Sequence, residues 1–142
     1  MLKGIPALLN ADVLYILAAM GHGDELALVD RNFPATATAK RLARLDGANL
    51  ICAAQAILTV FPLDTFVAEP VTRMQVVGFP DEIPGVQRDF AEVAGQAHGR
   101  PVAVRSLERS AFYARTRDAF AVISTSEARP YGCFLLTKGV IA

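Results

Sequence analysis

The sequence predicts an α/β layered fold on three observations. Apolar patterns of helical and of strand period alternate along the chain, their connections are short, and no repeat, linker or low-complexity tract interrupts them. A chain of 142 residues fits one domain, expected here over residues 1–142. At that size roughly 68–70% of the unfolded surface can be buried, enough for one core.

Asn10 is placed to cap a helix from about Ala11 to Met20, with Leu14, Leu17 and Ala18 as its apolar stripe and Gly21 as a left-handed exit. "ELALVD" then reads as a strand. Phe33-Pro34 and the Ala/Thr-rich "PATATAK" predict a surface loop, followed by an extended piece over Arg41 to Leu45 and a turn at Asp46-Gly47. A second helix, about Ala48 to Val60, is apolar nearly all round, so burial on more than one side is expected. "VTRMQVVG" alternates as a strand, and Val86, Phe90, Val93 and Ala94 recur at helical spacing between Gly85 and Ala97, leaving the other face of that helix to solvent. "PVAVRSL" is another strand, Ser110 is the expected cap of a short helix holding Phe112 and Tyr113, and "FAVISTS" and "CFLLTKGVI" are the closing strands.

Bulk properties narrow the function. Fourteen basic and fourteen acidic side chains cancel and are scattered, which argues against nucleic acid as a partner. The apolar content of 53% is high, yet no run approaches the ~18 uncharged apolar residues of a membrane span, so no membrane partner is expected and part of the excess is available for subunit contacts. The opening "MLKGIPALLNADVLYILAAM" carries Asp12 and lacks both a basic leader and a cleavage site, and reads as a cytoplasmic N-terminus. Cys52 and Cys133 have no metal-like or redox-like spacing, so free thiols are expected. Two distant histidines give no zinc spacing, and GxGxxG, Walker and GxSxG motifs are absent.

The remaining chemistry is sparse. His22, between two glycines in "GHGDELALVD", is an acid/base candidate near neutral pH; the alternative is a connector histidine bonded to a neighbouring carbonyl. Asp30 follows a strand, where ligands of open α/β sheets gather, though Asp also serves as a plain turn residue. His98 falls in a last helical turn, where a partial positive charge is favourable. Tyr131, Gly132 and Cys133 enter a strand from a tight turn, and Arg105 and Arg109 bracket "SLE". Such a mixture suits a neutral polyol, because each hydroxyl both donates and accepts; ordinary turn and surface roles are the alternative.

Four blocks, "MGHGDELALVDRNFPA", "DGANLICAAQAILTVFPLDTF", "ERSAFYARTRDAFAVISTSEARPYG" and "LLTKGV", resemble the RbsD/FucU family of sugar mutarotases, in its L-fucose branch. The resemblance runs in order over the whole chain and is weakest from Val71 to Arg100. It implies a three-layer single domain with a central mixed β-sheet flanked by helices, interconversion of the anomers of a free monosaccharide, no cofactor and no metal, and a homo-oligomer, often a decameric ring. Carried over by position, it makes His22 the catalytic proton donor and Asp30 and Arg109 sugar ligands. A Tyr-Gly-Asn contact segment falls on Tyr131, Gly132 and Cys133, so the third position departs from the pattern. A thiol is weak both as donor and as acceptor where an amide is strong, which bears on sugar preference only if that contact is made by the side chain.

Spacing adds a constraint of its own. His22 and Asp30 lie eight residues apart, up to ~26 Å if fully extended. Either the strand between them is short and bent, or one sugar takes His22 from one subunit and Asp30 from another; the shared site is the expectation. Two rivals remain, a non-catalytic sugar-binding or transport-associated module and a thiol-dependent enzyme built on Cys133.

Overall fold

Asn10 opens the first helix as its short amide allows: the side-chain oxygen accepts the Val13 N–H at 3.0 Å, starting α1 (Ala11–Ala19) in the computed structural model, which describes residues 1–142. The helix leaves through Met20 in an extended conformation, so the expected left-handed exit at Gly21 is not used; the left-handed glycine is Gly23, at φ 85°. Lys138 instead closes the helix, donating to the Leu17 and Met20 carbonyls at 2.8 and 2.6 Å.

The apolar run that follows is β1 (Glu25–Val29). The expected loop over "PATATAK" contains one helical turn, α2 (Ala35–Thr38), begun at Pro34 and tightened by the Thr38 hydroxyl on the Pro34 carbonyl at 2.7 Å. Beyond it lie β2 (Leu42–Leu45) and the turn at Gly47, φ 88°. Asn49 caps α3 (Leu50–Leu58) by accepting from Cys52 N–H at 2.8 Å, which is why the helix begins two residues later than the apolar pattern suggested. β3 (Val71–Met74) and α4 (Gly85–His98) follow, the helix ending at left-handed Gly99. After β4 (Val104–Leu107), the cap of α5 (Arg109–Asp118) is Glu108 and not Ser110, because the carboxylate accepts from both the Ser110 and Ala111 N–H groups. The chain closes with β5 (Ala121–Thr125) and β6 (Phe134–Thr137).

The six strands form one mixed sheet in the order β2-β5-β1-β6-β3-β4. β1 and β2 run parallel to β5, β3 runs parallel to β4, and β6 lies antiparallel between β1 and β3. The carboxyl ends of five strands therefore share one edge with the start of β6. That edge gathers residues distant in sequence.

Side chains alternate across the sheet with period two. Leu26 and Leu28 pack with α1, α3 and α4 in the larger core, while Ala27 and Val29 pack with Phe33, Ala35 and Phe112, under α2 and α5, in the smaller one. The expected three-layer arrangement is what forms. Phe90 of α4 stacks on Phe134 of β6 with ring centroids 3.9 Å apart, joining helix to sheet at full burial.

Candidate functional site

Asp30 leaves β1 at the carboxyl edge and is buried. Its Oδ1 accepts from the Asn32 and Phe33 N–H groups at 2.9 and 3.2 Å, turning the chain away from the sheet. Its Oδ2 accepts from the Gly132 N–H at 3.1 Å and from the Cys133 thiol at 3.5 Å. One carboxylate thus ties the exit of β1 to the entry of β6, two segments that meet only because those strands are neighbours.

Tyr131 sits at φ 64°, the sole non-glycine residue with a positive value. A bulky side chain there stores of order 1–3 kcal/mol and persists only where its surroundings hold it. Here the phenol oxygen accepts from Val77 N–H at 3.2 Å, and the carbonyl accepts from the Gln87 amide at 3.1 Å. Gln87 also donates to the Met74 carbonyl at 2.7 Å and accepts from the Arg73 guanidinium at 3.0 Å. Gln87 is fully buried, against the expectation that its side of α4 faces solvent.

Asp30, Arg109, Tyr131 and Cys133, with Met74 and Val77 as apolar wall, line a cavity of about 210 Å³ open to the edge. That is below the ~300–1,000 Å³ of sites for drug-sized ligands and scaled to something smaller. Arg109 comes from the first turn of α5, an exposed position where its guanidinium lies 4.7 Å over the Tyr113 ring. Gly132 lies behind the cavity: its N–H is spent on Asp30, and an added Cβ would crowd Glu127, Asp30 and Val86 at 3.3–3.4 Å. Burial, with the Asp30 carboxylate beside it, pushes the Cys133 thiol well above its ordinary pKa. A buried thiol held protonated is a poor nucleophile, which argues against a thiol-dependent enzyme.

His22 is elsewhere. It precedes β1, at the opposite edge of the sheet, where Gly23 N–H donates to the Lys138 carbonyl beyond the end of β6. Its Nε2 lies 3.0 Å from Oδ1 of Asp64, and its ring packs at 5.1 Å, tilted, on Phe66. The histidine side chain is 44% exposed and the Asp64 side chain 2%. Burial alone would raise the Asp64 pKa; the Phe66 N–H, the His22 ring and the Thr65 N–H outweigh it and hold the carboxyl below its ordinary range. Asp64 was not among the residues singled out from the sequence, where nothing connects position 22 to position 64. His98 is the last residue of α4.

Comparison with known proteins identifies the family. Residues 3–141 match the family described as RbsD / FucU transport protein. The chain belongs to the RbsD/FucU family. Among its relatives it is 40% identical to the fucose mutarotase of Homo sapiens, over 99% of this chain and 95% of that one, and 37% identical to the L-fucose mutarotase of Histophilus somni, over 99% and 97%. It is similar to the crystal structure of the fucose mutarotase from Streptococcus pneumoniae in complex with L-fucose, with a TM-score of 0.91 and 36% identity over 99% of this chain and 100% of that one.

In this RbsD/FucU chain, the residues singled out from sequence divide in two. Asp30, Arg109, Tyr131 and Cys133 share the carboxyl-edge cavity, Gly132 shapes it from behind, and His22 stands with Asp64 across the sheet. No helix is long and apolar enough to cross a membrane.

Proposed function

We propose that the chain is a sugar mutarotase that interconverts the anomers of L-fucose. The observation that carries this reading is the convergence of a buried carboxylate, a guanidinium and a phenol on one small cavity, in a chain whose relatives are fucose mutarotases. Arg109 and the Tyr131 phenol offer hydrogen bonds to hydroxyls, Asp30 fixes the turn that presents them, and Met74 and Val77 offer an apolar wall for a methyl group.

The reaction needs no redox partner and no cofactor. A base takes the proton of the anomeric hydroxyl, the electron pair left on that oxygen forms the aldehyde C=O, the bond from the anomeric carbon to the ring oxygen breaks, and the ring oxygen takes a proton from an acid. Rotation about the C1–C2 bond and the reverse sequence give the other anomer. His22 is the proposed proton carrier, with Tyr131 orienting the sugar or completing the relay. One positioned acid/base supplies ~10²–10⁴-fold.

The site is shared between subunits in this proposal. From Glu25 to Asp30 the chain is extended for five steps, ~17 Å, and a monosaccharide does not span it. His22 of one subunit therefore meets the cavity of the next, in a head-to-tail contact that closes into a ring, a decamer by resemblance. Exposed Phe66 and Val67 near His22, and Val77 and Phe79 near Tyr131, are the apolar surfaces available for that contact. Each chain contributes a single domain over residues 1–142, and the cytoplasm is the proposed compartment, in keeping with two free cysteines.

Saturation-transfer NMR between the anomers of L-fucose, D-ribose, D-galactose and L-rhamnose tests the reading. Accelerated exchange, fastest for L-fucose, is expected; binding with exchange at the solvent rate would make the protein a sugar-binding module instead.

A further inference from the structure

We infer that Gln87 is a positioning residue for sugar binding: Arg73 fixes which way its amide points, and the amide holds Tyr131 in the conformation that presents its phenol to the cavity. The inference rests on the proposed contact between that phenol and the sugar, and adds to it the buried pair that sets the contact from behind.

A side-chain amide can sit either way round, and its neighbours decide. The Arg73 guanidinium only donates, so the atom 3.0 Å from it must be the amide oxygen, Oε1. Nε2 then faces two groups that only accept, the Met74 carbonyl at 2.7 Å and the Tyr131 carbonyl at 3.1 Å. Turned over, the amide would set donor against donor and oxygen against two oxygens at once. Gln87 is 2% exposed, so solvent does not stand in for any of these partners. Both amide hydrogens are committed, one to the end of β3 and one to the turn entering β6. The backbone pairing of those strands gives out at this point: Arg73 is opposite Phe134, and Met74 N–H reaches the Cys133 carbonyl at 3.4 Å. Gln87 supplies the next link with a side chain.

The peptide unit between Tyr131 and Gly132 is held from both sides: its oxygen accepts from Gln87, and its N–H donates to Asp30 Oδ2 at 3.1 Å. Tyr131, at φ 64°, keeps its strained conformation only while that unit cannot turn. At the other end the phenol oxygen accepts from Val77 N–H at 3.2 Å, which leaves the phenol O–H to donate to a sugar oxygen. Arg73 reaches this end as well. Its guanidinium donates to the Pro80 and Glu82 carbonyls at 3.0 and 3.3 Å, fixing the loop between β3 and α4 that carries Val77. Both ends of Tyr131 therefore trace to one buried guanidinium, whose partners are carbonyls and the Gln87 amide.

The test is Gln87→Glu in the full-length protein, which keeps the size of the side chain and an acceptor for Arg73 but removes both donors. KM for L-fucose is expected to rise about 3- to 10-fold, the net worth of one hydrogen bond, with kcat for anomer exchange within about twofold of wild type. Gln87→Met, apolar and of similar length, carries the same expectation should the carboxylate variant not fold. Combining either with Tyr131→Phe separates positioning from general stability. Without the phenol O–H there is nothing left to aim, so the double variant should match the KM of Tyr131→Phe alone. Unchanged KM in the Gln87 variants, a fall in kcat with KM unchanged, or single-variant effects on KM that multiply overturns the inference. Wild-type KM in Tyr131→Phe overturns the contact between phenol and sugar instead. A crystal structure of Gln87→Glu then decides the structural half, supporting it if the Tyr131 carbonyl has turned away and overturning it if the φ of 64° persists. A wild type without accelerated exchange removes the mutarotase reading, and the calorimetric L-fucose affinity of the same variants takes the place of KM.

Discussion

The two edges of the sheet hold functional groups in opposite ways. At the carboxyl edge, Asp30 is buried and engaged on both oxygens, Tyr131 is pinned in a left-handed conformation, and the cavity is walled by β3, α5 and the loops after β1, after β3 and before β6. At the amino edge, His22 stands half-exposed on a glycine loop with one carboxylate behind it. A group that recognises hydroxyls by position profits from rigidity, because its donors and acceptors must be fixed before the ligand arrives. A group that carries protons needs access, and His22 has it while one face of its ring packs on Phe66. In the proposed shared site each edge is one half, and the fold keeps His22 and the cavity on opposite edges of the sheet.

Separating the halves should break activity in different ways. His22→Ala is expected to slow anomer exchange by ~10²–10⁴-fold and leave L-fucose affinity, read by calorimetry, nearly unchanged. Arg109→Ala is expected to weaken affinity. Co-expression of the two variants sharpens the contrast: if the site is shared, mixed oligomers contain some sites with both residues intact, and about a quarter of wild-type activity returns. No recovery in mixed oligomers would confine both residues to one chain and end the shared-site proposal.

Gly139→Ala should come next. The new Cβ would meet backbone atoms of Leu63 and Asp64, which cannot swing aside as a side chain does, so a loss of ~1–3 kcal/mol is expected in chemical denaturation. The displaced Asp64 loop, which carries the carboxylate against His22, should also lower exchange without the loss of affinity expected at Arg109. The reverse result, lost affinity with exchange intact, would mean that this edge serves binding and not proton transfer.

What was legible in the sequence follows the same division. The strands and long helices were readable because their apolar periods are regular: Leu26 and Leu28 against Ala27 and Val29, or Val86, Phe90 and Val93 along α4. Of the residues around the carboxyl-edge cavity, Asp30, Arg109 and Tyr131 lie in quoted blocks, Cys133 falls just past one, and Met74 and Val77 belong to the stretch where the resemblance is weakest. The missing pieces were set by tertiary contact. Gln87 is one residue off the apolar stripe of α4 and is buried because Arg73, Met74 and Tyr131 surround its amide. Asp64 reaches His22 only through the pairing of residues 63 and 138, which no local pattern announces. Glu108 displaced Ser110 as the cap of α5 because a carboxylate satisfies two N–H groups where a hydroxyl satisfies one.

Acid should weaken both edges through buried carboxylates. Burial opposes the ionisation of Glu127, but Arg129 and the N–H groups of Arg129 and Leu50 outweigh it and hold its carboxyl below the ordinary range, as happens at Asp64. A carboxyl whose folded value lies below its unfolded one stabilises fully above the unfolded value, 3.8 for Asp and 4.5 for Glu, and loses that contribution as pH falls through the lowered folded value. Thermal unfolding followed from pH 7 to pH 3 should therefore hold its midpoint until the ordinary carboxylate range and drop below it. Glu127→Gln should flatten part of that drop, and an unchanged acid limb would mean that other groups govern it.

The smallest effect is expected at Cys133, the third position of the contact segment that the resemblance implies. The thiol is buried, protonated and 3.5 Å from an Asp30 oxygen that already accepts the Gly132 N–H. Sulfur is a weak donor at that distance, so Cys133→Ser replaces a weak hydrogen bond with a stronger one in the same direction, worth ~0.5–1.5 kcal/mol. A change of that size corresponds to about tenfold or less in KM for L-fucose, with kcat unaltered, because the group acts on the wall of the cavity and not on the moving proton. The residue then tunes how firmly Asp30 holds the entry of β6, and through it the fit of the sugar. A fall in kcat of two orders of magnitude with an intact fold would mean that the thiol takes part in proton transfer, and that the carboxyl edge does more than bind.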